Sequence, residues 1–218
     1  MRILVDGLDL SGKTTLTHAL IEELGNREMP AWRHRGMLAE HHPLEPLLRR
    51  LPLARQAESS LVTTALLAAG YALDAALVRI DPPRPPGVLI QDGYADRAVA
   101  FGIAGGPYLA AALALRWARW FAPFDVAVYL HAPVSVRRAR LAARVEVDAA
   151  DRRSVEDEPF AERFTAMLVH GMGRRHRRLL VLDTGCIGPR EMARQIADTV
   201  VGDRMAGSDV REPLGRAG

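Results

Sequence analysis

The chain has only one cysteine, Cys186, among its 218 residues. A single cysteine cannot form an internal disulfide, and such cysteine use is typical of proteins in a reducing compartment. A lone cysteine directly after a predicted strand is more often a small core residue than a nucleophile. The sequence therefore argues against a disulfide-stabilised fold and favours a cytoplasmic protein.

Long hydrophobic runs are also missing. No apolar run reaches the ~18 residues without a charge that indicate a membrane-spanning helix. Met1–Asp6 leads directly into a glycine-containing segment, so we expect no signal peptide. Apolar residues make up 49% of the chain and charged residues 25%, which is typical of a globular domain. We therefore predict one domain of ordinary size and no membrane partner.

Lysine is almost absent. All but one of the 29 basic side chains are arginine, and the only lysine is Lys13. This pattern indicates that position 13 needs a compact point charge rather than a planar guanidinium. The formal net charge of +3 suits either a nucleic acid or a polyphosphate ligand and does not decide between them.

The single lysine lies in the segment Gly7–Thr14, called the glycine loop below, which matches G-x-x-x-x-G-K-[ST] at every fixed position. A predicted strand precedes it and a predicted helix follows, which is the context that this phosphate-binding pattern requires. Glycines allow backbone N–H groups to face a phosphate, and the helix N-terminus attracts the same anion. The lysine would reach the β- and γ-phosphates, and the Thr14 hydroxyl would coordinate Mg²⁺. A chance glycine-rich turn is the alternative.

The loop thus predicts ATP and Mg²⁺ as cofactors. The residues expected to bind the nucleotide there are Gly7, Asp9, Leu10, Ser11, Gly12, Lys13, Thr14 and Thr15.

Predicted strands alternate with predicted helices along the chain. The strands are expected at 2–6, 31–35, 88–92, 125–130 and 179–183, and the helices at 13–24, 44–51, 57–80, 95–103, 107–120, 133–144, 158–177 and 189–201. Alternation of this kind predicts a parallel sheet with helices on both faces. We therefore expect an α/β fold over residues 1–201, of the three-layer P-loop NTPase type with about five strands.

Two segments lack a periodic apolar pattern. Residues 145–157 are highly charged, and we predict that they form a mobile, arginine-rich lid loop. The polar tail at 202–218 is predicted to be disordered.

Two large classes of phosphate-loop proteins do not fit. GTPases read guanine with an Asn-Lys-x-Asp motif, which would need a second lysine. The Leu-Ser-Gly-Gly-Gln signature of transporter-type ATPases is also absent. Of the phosphate-loop proteins considered, a compact kinase is the class that remains.

The sequence resembles the thymidylate kinase-like family of P-loop nucleoside monophosphate kinases over most of residues 1–200. The phosphate loop is a specific match, and the others are weaker but follow in the right order. The matching segments are the glycine loop with Asp9, Val88–Asp92 before Gly93-Tyr94, Val128–Pro133 before Arg140 and Arg144, Asp151-Arg152 before Phe160, and Leu180–Asp183.

The resemblance implies transfer of the γ-phosphoryl group of ATP to a small acceptor by a homodimer. Lys13 and Asp92 would be catalytic, with Asp92 orienting Mg²⁺ through water or acting as a base near the acceptor. Asp92 would share the metal with Thr14, although a helix N-cap is the alternative role for this carboxylate.

Three further roles follow from the resemblance. Arg144, Arg152 or Arg153, in or beside the lid, would offset charge on the transferring group, which can contribute ~10³–10⁵ in rate. Arg140 would stack on the adenine, and Asp9 would contact an acceptor hydroxyl. Arginines on this helix could also be its solvated face.

The acceptor side departs from the family pattern. The family's thymine-reading arginine is Ala75 here, and the arginine that holds the acceptor phosphate is Gly93. Each lost charge-assisted contact costs about 1.5–3 kcal/mol, so we do not expect thymidylate as the acceptor. Arg35 and Arg97 are candidates to bind an acidic acceptor, and Tyr71 is the candidate base stacker. Surface arginines and a core tyrosine are the alternatives.

Other interpretations stay open at this point. They are a diverged deoxynucleoside monophosphate kinase and a non-catalytic nucleotide-binding module. The basic run Arg174–Arg178 is expected to end a helix rather than bind nucleic acid. His34, His41 and His42 lack metal-ligand spacing and are interpreted as solvated loop residues.

Overall fold

In the computed structural model, the described residues are 1–46, 61–82, 87–105 and 120–208, with side chains of 61–65 and 204–208 not included. The strands are β1 (Arg2–Gly7), β2 (Ala31–His34), β3 (Val88–Asp92), β4 (Val126–His131) and β5 (Arg178–Asp183). The helices are α1 (Lys13–Asn26), α2 (Leu61–Ile80), α3 (Ala95–Gly105), α4 (Val134–Ala142), α5 (Ala149–Glu156), α6 (Glu158–Arg175) and α7 (Pro189–Ser208).

The five strands form one sheet in the order β2-β3-β1-β4-β5, and every neighbouring pair is parallel. β1, β3 and β4 are buried almost throughout, as expected for inner strands of a sheet covered on both faces. Val5 lies opposite Asp92 in the register, and Gly7 lies opposite Leu130. The carboxyl ends of these three strands therefore meet at one edge, where open α/β sheets bind ligands.

Helices cover both faces of the sheet. On one face, Leu16 and Leu20 of α1 and Ile196 of α7 pack against the strands. On the other face, α2, α3 and α6 form a second core with Tyr94, Phe124 and Phe164 among its buried side chains. The predicted α/β class, with a five-stranded parallel sheet and helices on both faces, is confirmed.

The lid segment differs from the prediction, because residues 149–156 are a helix rather than a loop. The Asp148 carboxylate caps this helix by accepting a hydrogen bond from the Asp151 N–H at 2.7 Å. Asp151, Ser154 and Val155 are its buried residues, and they follow helical spacing. The pattern was missed because two of the three buried residues are polar.

Helix α7 is longer than expected. It continues to Ser208 rather than ending at Val201, so residues 202–208 are helical and not part of a disordered tail. Residues 209–218, the predicted helix at 107–120 except its last residue, and most of the predicted helix at 44–51 lie outside the described residues.

Candidate functional site

The glycine loop connects β1 to α1 in a tight turn. A Cβ atom at Gly7 would lie 2.6 Å from the carbonyl oxygen of Leu130 and 2.8 Å from Ser11 Oγ, so only glycine fits there. Gly12 has a left-handed φ of 94°, and Leu10 has a φ of 66°, which is uncommon for a residue with a side chain. The two glycines of the motif therefore lie where the turn needs them.

Lys13 is the first residue of α1, and its side chain folds back over the loop. Its Nζ donates to the carbonyl oxygens of Gly7 at 3.0 Å and Leu8 at 2.8 Å, and lies 3.7 Å from Asp9 Oδ1. Burial, together with the nearby charge of Arg97, lowers the pKa of Lys13 to about 8. The ammonium group thus lies beside the N-terminus of a helix, where an anion is also attracted.

A cleft of about 640 Å³ opens at this edge of the sheet, a size typical of small-molecule sites. Its walls come from the glycine loop, the residues at the ends of β2 and β3, the α4–α5 region and the segment after β5. Its basic residues are Lys13, Arg33, Arg35, Arg140 and Arg144, and its acidic residues are Asp9, Asp92, Asp148 and Asp151. The cleft is therefore highly charged, and charges of both signs lie close together.

Most of the predicted site residues lie together in this cleft. The predicted residues that line it are Asp9, Leu10, Gly12, Lys13, Thr14, Thr15, Arg35, Asp92, Arg140 and Arg144. Gly7 and Ser11 are buried in the loop itself. Tyr71, Arg97 and Arg152 are not among the lining residues, and Arg152 is exposed to solvent.

Tyr71 lies in the core beneath α3. Its ring packs edge-on against Tyr94 at 4.9 Å and Phe121 at 5.9 Å between centroids. It borders a cavity of only about 10 Å³, too small to hold a nucleobase. The structure thus places Tyr71 among packed aromatic rings and not in the cleft.

Arg97 contacts the glycine loop from α3. Its Nη2 lies 2.6 and 2.7 Å from the two carboxylate oxygens of Asp9, and its Nη1 donates to the Gly7 carbonyl oxygen at 2.5 Å. Burial opposes the ionisation of Asp9, but the charges of Arg97 and Lys13 outweigh it and hold the pKa of Asp9 below its ordinary value. Asp9 is therefore a carboxylate at neutral pH.

The α4 arginines contact different parts of the cleft wall. Arg140 donates to the Leu10 carbonyl oxygen at 2.8 Å and to Thr184 Oγ1 at 3.1 Å, which connects the glycine loop to the end of β5. Arg144 forms an ion pair with the buried carboxylate of Asp151. Arg144 and Asp151 thus join the lid helix to the rest of the cleft.

Two charged residues were missed in the sequence. Arg33 forms an ion pair with Asp92, and strand alternation puts it on the same side as Arg35, which could have identified it. Asp6, directly before Gly7, is fully buried. Burial raises the pKa of Asp6 above its ordinary value, although Arg97 and Lys13 act in the opposite direction. No local pattern distinguishes Asp6 from an ordinary strand end.

The residues expected to hold Mg²⁺, Thr14 and Asp92, both line the cleft. Within the described ranges no group of three or more His, Cys, Asp or Glu side chains suits a metal ion. Magnesium bound to nucleotide phosphates needs only one or two protein ligands, so these two residues fit such an ion. On binding the ion, the Asp92 carboxylate would release Arg33 and contact the metal instead.

The histidines near β2 make contacts within the chain. His34 Nδ1 lies 2.8 Å from Gln91 Oε1. His42 was interpreted as a solvated residue, but it is only 4% exposed, and its Nε2 lies 3.0 Å from the Gly70 carbonyl oxygen. It is therefore part of the packing between the 37–46 segment and α2.

Two comparisons with known protein sequences were made. A scan against protein-family models finds no match, and a search of curated proteins finds none. In the portion of the chain that the structure describes, no helix has the length and apolar character needed to cross a membrane.

Proposed function

We propose that this protein is an ATP-dependent phosphotransferase, a kinase of the P-loop class that transfers the γ-phosphoryl group to a small acceptor. The observation that carries this proposal is the glycine loop. It combines a full match to the phosphate-binding motif, two sterically required glycines and the only lysine of the chain, placed at a helix N-terminus above the sheet edge.

The residues of the cleft suit the binding of a triphosphate. The backbone N–H groups at the start of α1 and the ammonium group of Lys13 would hold the phosphates. Thr14 and Asp92 would hold Mg²⁺, which neutralises phosphate charge when bound. Arg144 would release Asp151, bind a phosphoryl oxygen and offset negative charge in the transition state.

The acceptor would be nucleotide-like or another small molecule, and not thymidylate itself. Gly93 offers no side chain to an acceptor phosphate, and Tyr71 lies in packed surroundings. Arg33 and Arg35 line the cleft at the end of β2, so an anionic group on the acceptor would suit them. We also propose that the protein is similar to thymidylate kinase-like enzymes, that it forms a homodimer and that it has no nucleic-acid partner.

An assay of ADP formation with Mg·ATP and a panel of acceptors tests this proposal. The panel should include nucleosides, nucleoside monophosphates with thymidylate among them, and small acids. We expect acceptor-dependent turnover that falls at least about 100-fold in Lys13→Ala, because a charge-assisted phosphate contact is lost from the site of transfer. Arg138→Ala is the matched control, since Arg138 is an exposed cation of α4 that does not line the cleft.

The assay also separates the alternatives. Fast turnover of thymidylate would identify a diverged deoxynucleotide kinase. Nucleotide binding without transfer to any acceptor would indicate a non-catalytic module. Calorimetry that detects no uptake of Mg·ATP at millimolar concentration would refute the proposed function.

A further inference from the structure

The guanidinium group of Arg97 is directed into the glycine loop rather than into the cleft. Its Nη2 is shared between the two oxygens of Asp9. Its Nη1 contacts the Gly7 carbonyl oxygen at 2.5 Å and Asp6 Oδ1 at 3.5 Å. Both terminal nitrogens are therefore engaged by oxygen atoms of the chain itself. An acceptor anion would have to compete with these oxygen atoms for the guanidinium group.

Apolar neighbours hold the Arg97 side chain in this direction. Its guanidinium carbon lies 5.0 Å from the ring centroid of Phe101 and 5.5 Å from that of Phe164, within the range of cation–π attraction. Its Cδ lies 3.7 Å from the point where a Cβ would stand on Gly93. The side chain thus crosses the backbone at Gly93 and lies against two aromatic rings, which fixes its orientation.

The charge of Asp9 gives this contact a consequence for ligands. Asp9 lines the cleft, and its Oδ1 lies 3.7 Å from the Lys13 ammonium nitrogen. Without Arg97, this carboxylate would repel a phosphate and would compete with it for Lys13. With Arg97 bound to both of its oxygens, the negative charge of Asp9 is balanced, and Asp9 competes less with an anionic ligand for Lys13.

We propose that Arg97 is a positioning residue of the glycine loop. It holds Asp9 and the Gly7 carbonyl against α3, so that Asp9 does not oppose the binding of phosphate. This inference rests on the proposed function and gives Arg97 a different role from the acceptor contact expected from the sequence. Arg97 acts through Asp9. An anionic group of the acceptor would instead contact the cations that line the cleft.

A double-mutant cycle on nucleotide affinity tests this role. The dissociation constant of Mg·ATP is measured by calorimetry for the unsubstituted protein, Arg97→Met, Asp9→Asn and the double variant. Methionine keeps the apolar contacts with Phe101 and Phe164 but loses the charge. We expect affinity to fall about 10- to 100-fold in Arg97→Met. The same change in the Asp9→Asn background should lower affinity by no more than about 3-fold, because the unpaired carboxylate is then gone.

Arg163→Met is the matched control for the cycle. Arg163 lies on α6 next to Phe164 and donates from Nε to the Ala104 carbonyl oxygen at 3.3 Å, on the same side of the sheet but without contact to the loop. Its replacement should leave the affinity within about 2-fold, because no charge next to the loop changes. Thermal midpoints of all variants show whether each one folds. If Arg97→Met does not fold, Arg97→Gln in both backgrounds completes the same cycle, because glutamine also removes the charge while keeping a hydrogen-bond donor.

The outcomes are distinct. Equal losses with and without the Asp9→Asn substitution would mean that Arg97 contacts the ligand directly or only supports the fold, and either result overturns the inference. Unchanged affinity in Arg97→Met overturns it as well. If the unsubstituted protein takes up no Mg·ATP, the proposed function fails first and this inference fails with it.

Discussion

At the scale of single residues, the turn of the glycine loop depends on the missing side chain of Gly7. A Cβ at this position meets backbone, the Leu130 carbonyl oxygen at 2.6 Å, and backbone cannot move aside as the end of a flexible side chain can. Helix α1, which follows the loop, supplies a contrasting glycine, because a Cβ at Gly25 meets no atom within 4 Å.

Alanine at these two positions should therefore act in opposite directions. We expect Gly7→Ala to lower the free energy of unfolding by about 1–3 kcal/mol, since the strand and the loop must separate. Gly25→Ala should raise it by up to about 0.5 kcal/mol, because Gly25 lies in the last turn of α1 and alanine favours helical backbone over glycine. Urea unfolding of both variants measures the difference, and a stabilised Gly7→Ala protein would contradict the packing described here.

The charged residues in and beside the cleft show that residue type alone does not identify the partner of a side chain. Arg33, Arg35 and Arg97 look equivalent in the sequence. In the structure Arg33 is paired with Asp92, and Arg97 is bound to a residue 88 positions away. Such partners are set by tertiary packing. The glycine loop, in contrast, could be predicted because all of its determinants lie within eight consecutive residues.

At the scale of secondary-structure elements, the lid helix α5 depends on the residue that caps it. It has only eight residues, and a helix of this length is marginal without tertiary packing and caps. In the structure, the Asp148 cap and the ion pair between Arg144 and Asp151 stabilise this short helix.

Asp148→Ala should therefore loosen α5 more than the rest of the fold. Loss of an N-cap costs about 1 kcal/mol, and we expect amide hydrogen exchange to accelerate across 149–156 while the sheet stays protected. Asp157→Ala is the comparison, because Asp157 caps the 18-residue helix α6 through the Phe160 N–H at 3.0 Å and adds one ion pair to α5, with Arg153 Nε at 3.4 Å. There the loss should appear in the global free energy of unfolding. Equal exchange rates in α5 before and after Asp148→Ala would refute the assignment.

The strands were easier to predict than this helix for a physical reason. β3 is buried at all five positions, begins with the apolar run Val88–Ile90 and is bounded by Gly87 and Gly93. The buried side of α5 contains Asp151 and Ser154, whose polar atoms are satisfied by Arg144 and by a backbone carbonyl. Hydrophobic periodicity cannot detect a buried face that is stabilised by hydrogen bonds.

At the scale of the whole molecule, a buried ionic cluster connects α3, α6 and the start of β4. Asp96 pairs with Arg175 at 2.7 Å and lies 3.1 Å from His176 Nε2, while His176 Nδ1 accepts from the Phe124 N–H at 3.2 Å. Burial alone would raise the pKa of Asp96. The hydrogen bond from His176 and the charge of Arg175 outweigh it and hold that pKa below its ordinary value.

This cluster predicts an acid-sensitive contribution to stability. Because the pKa of Asp96 is lower in the folded than in the unfolded chain, the carboxylate stabilises the fold above about pH 4 and loses this contribution as the pH falls through its folded pKa. We expect Asp96→Asn to destabilise the protein at pH 7 by about 3–5 kcal/mol, the range found when one partner of a buried pair is removed. It should also flatten the dependence of unfolding free energy on pH below about pH 4.

Urea unfolding at a series of pH values, with Asp198→Asn as the control, measures this effect. Asp198 pairs with Arg27 at the surface, and its side chain is 69% exposed, so its replacement should change stability little. Parallel pH curves for the unsubstituted protein and Asp96→Asn would contradict the role given to the cluster.

The single lysine of the chain has a practical consequence for chemical labelling. Apart from the chain terminus, the ε-amine of Lys13 is the only amine that an acylating reagent can modify. Its pKa of about 8 leaves a fraction of it unprotonated and nucleophilic near neutral pH, where ordinary lysines are almost fully charged. Lys13 is therefore the one side-chain amine to which a reporter group can be attached by acylation. It lines the cleft, where any occupant of the glycine loop would shield it.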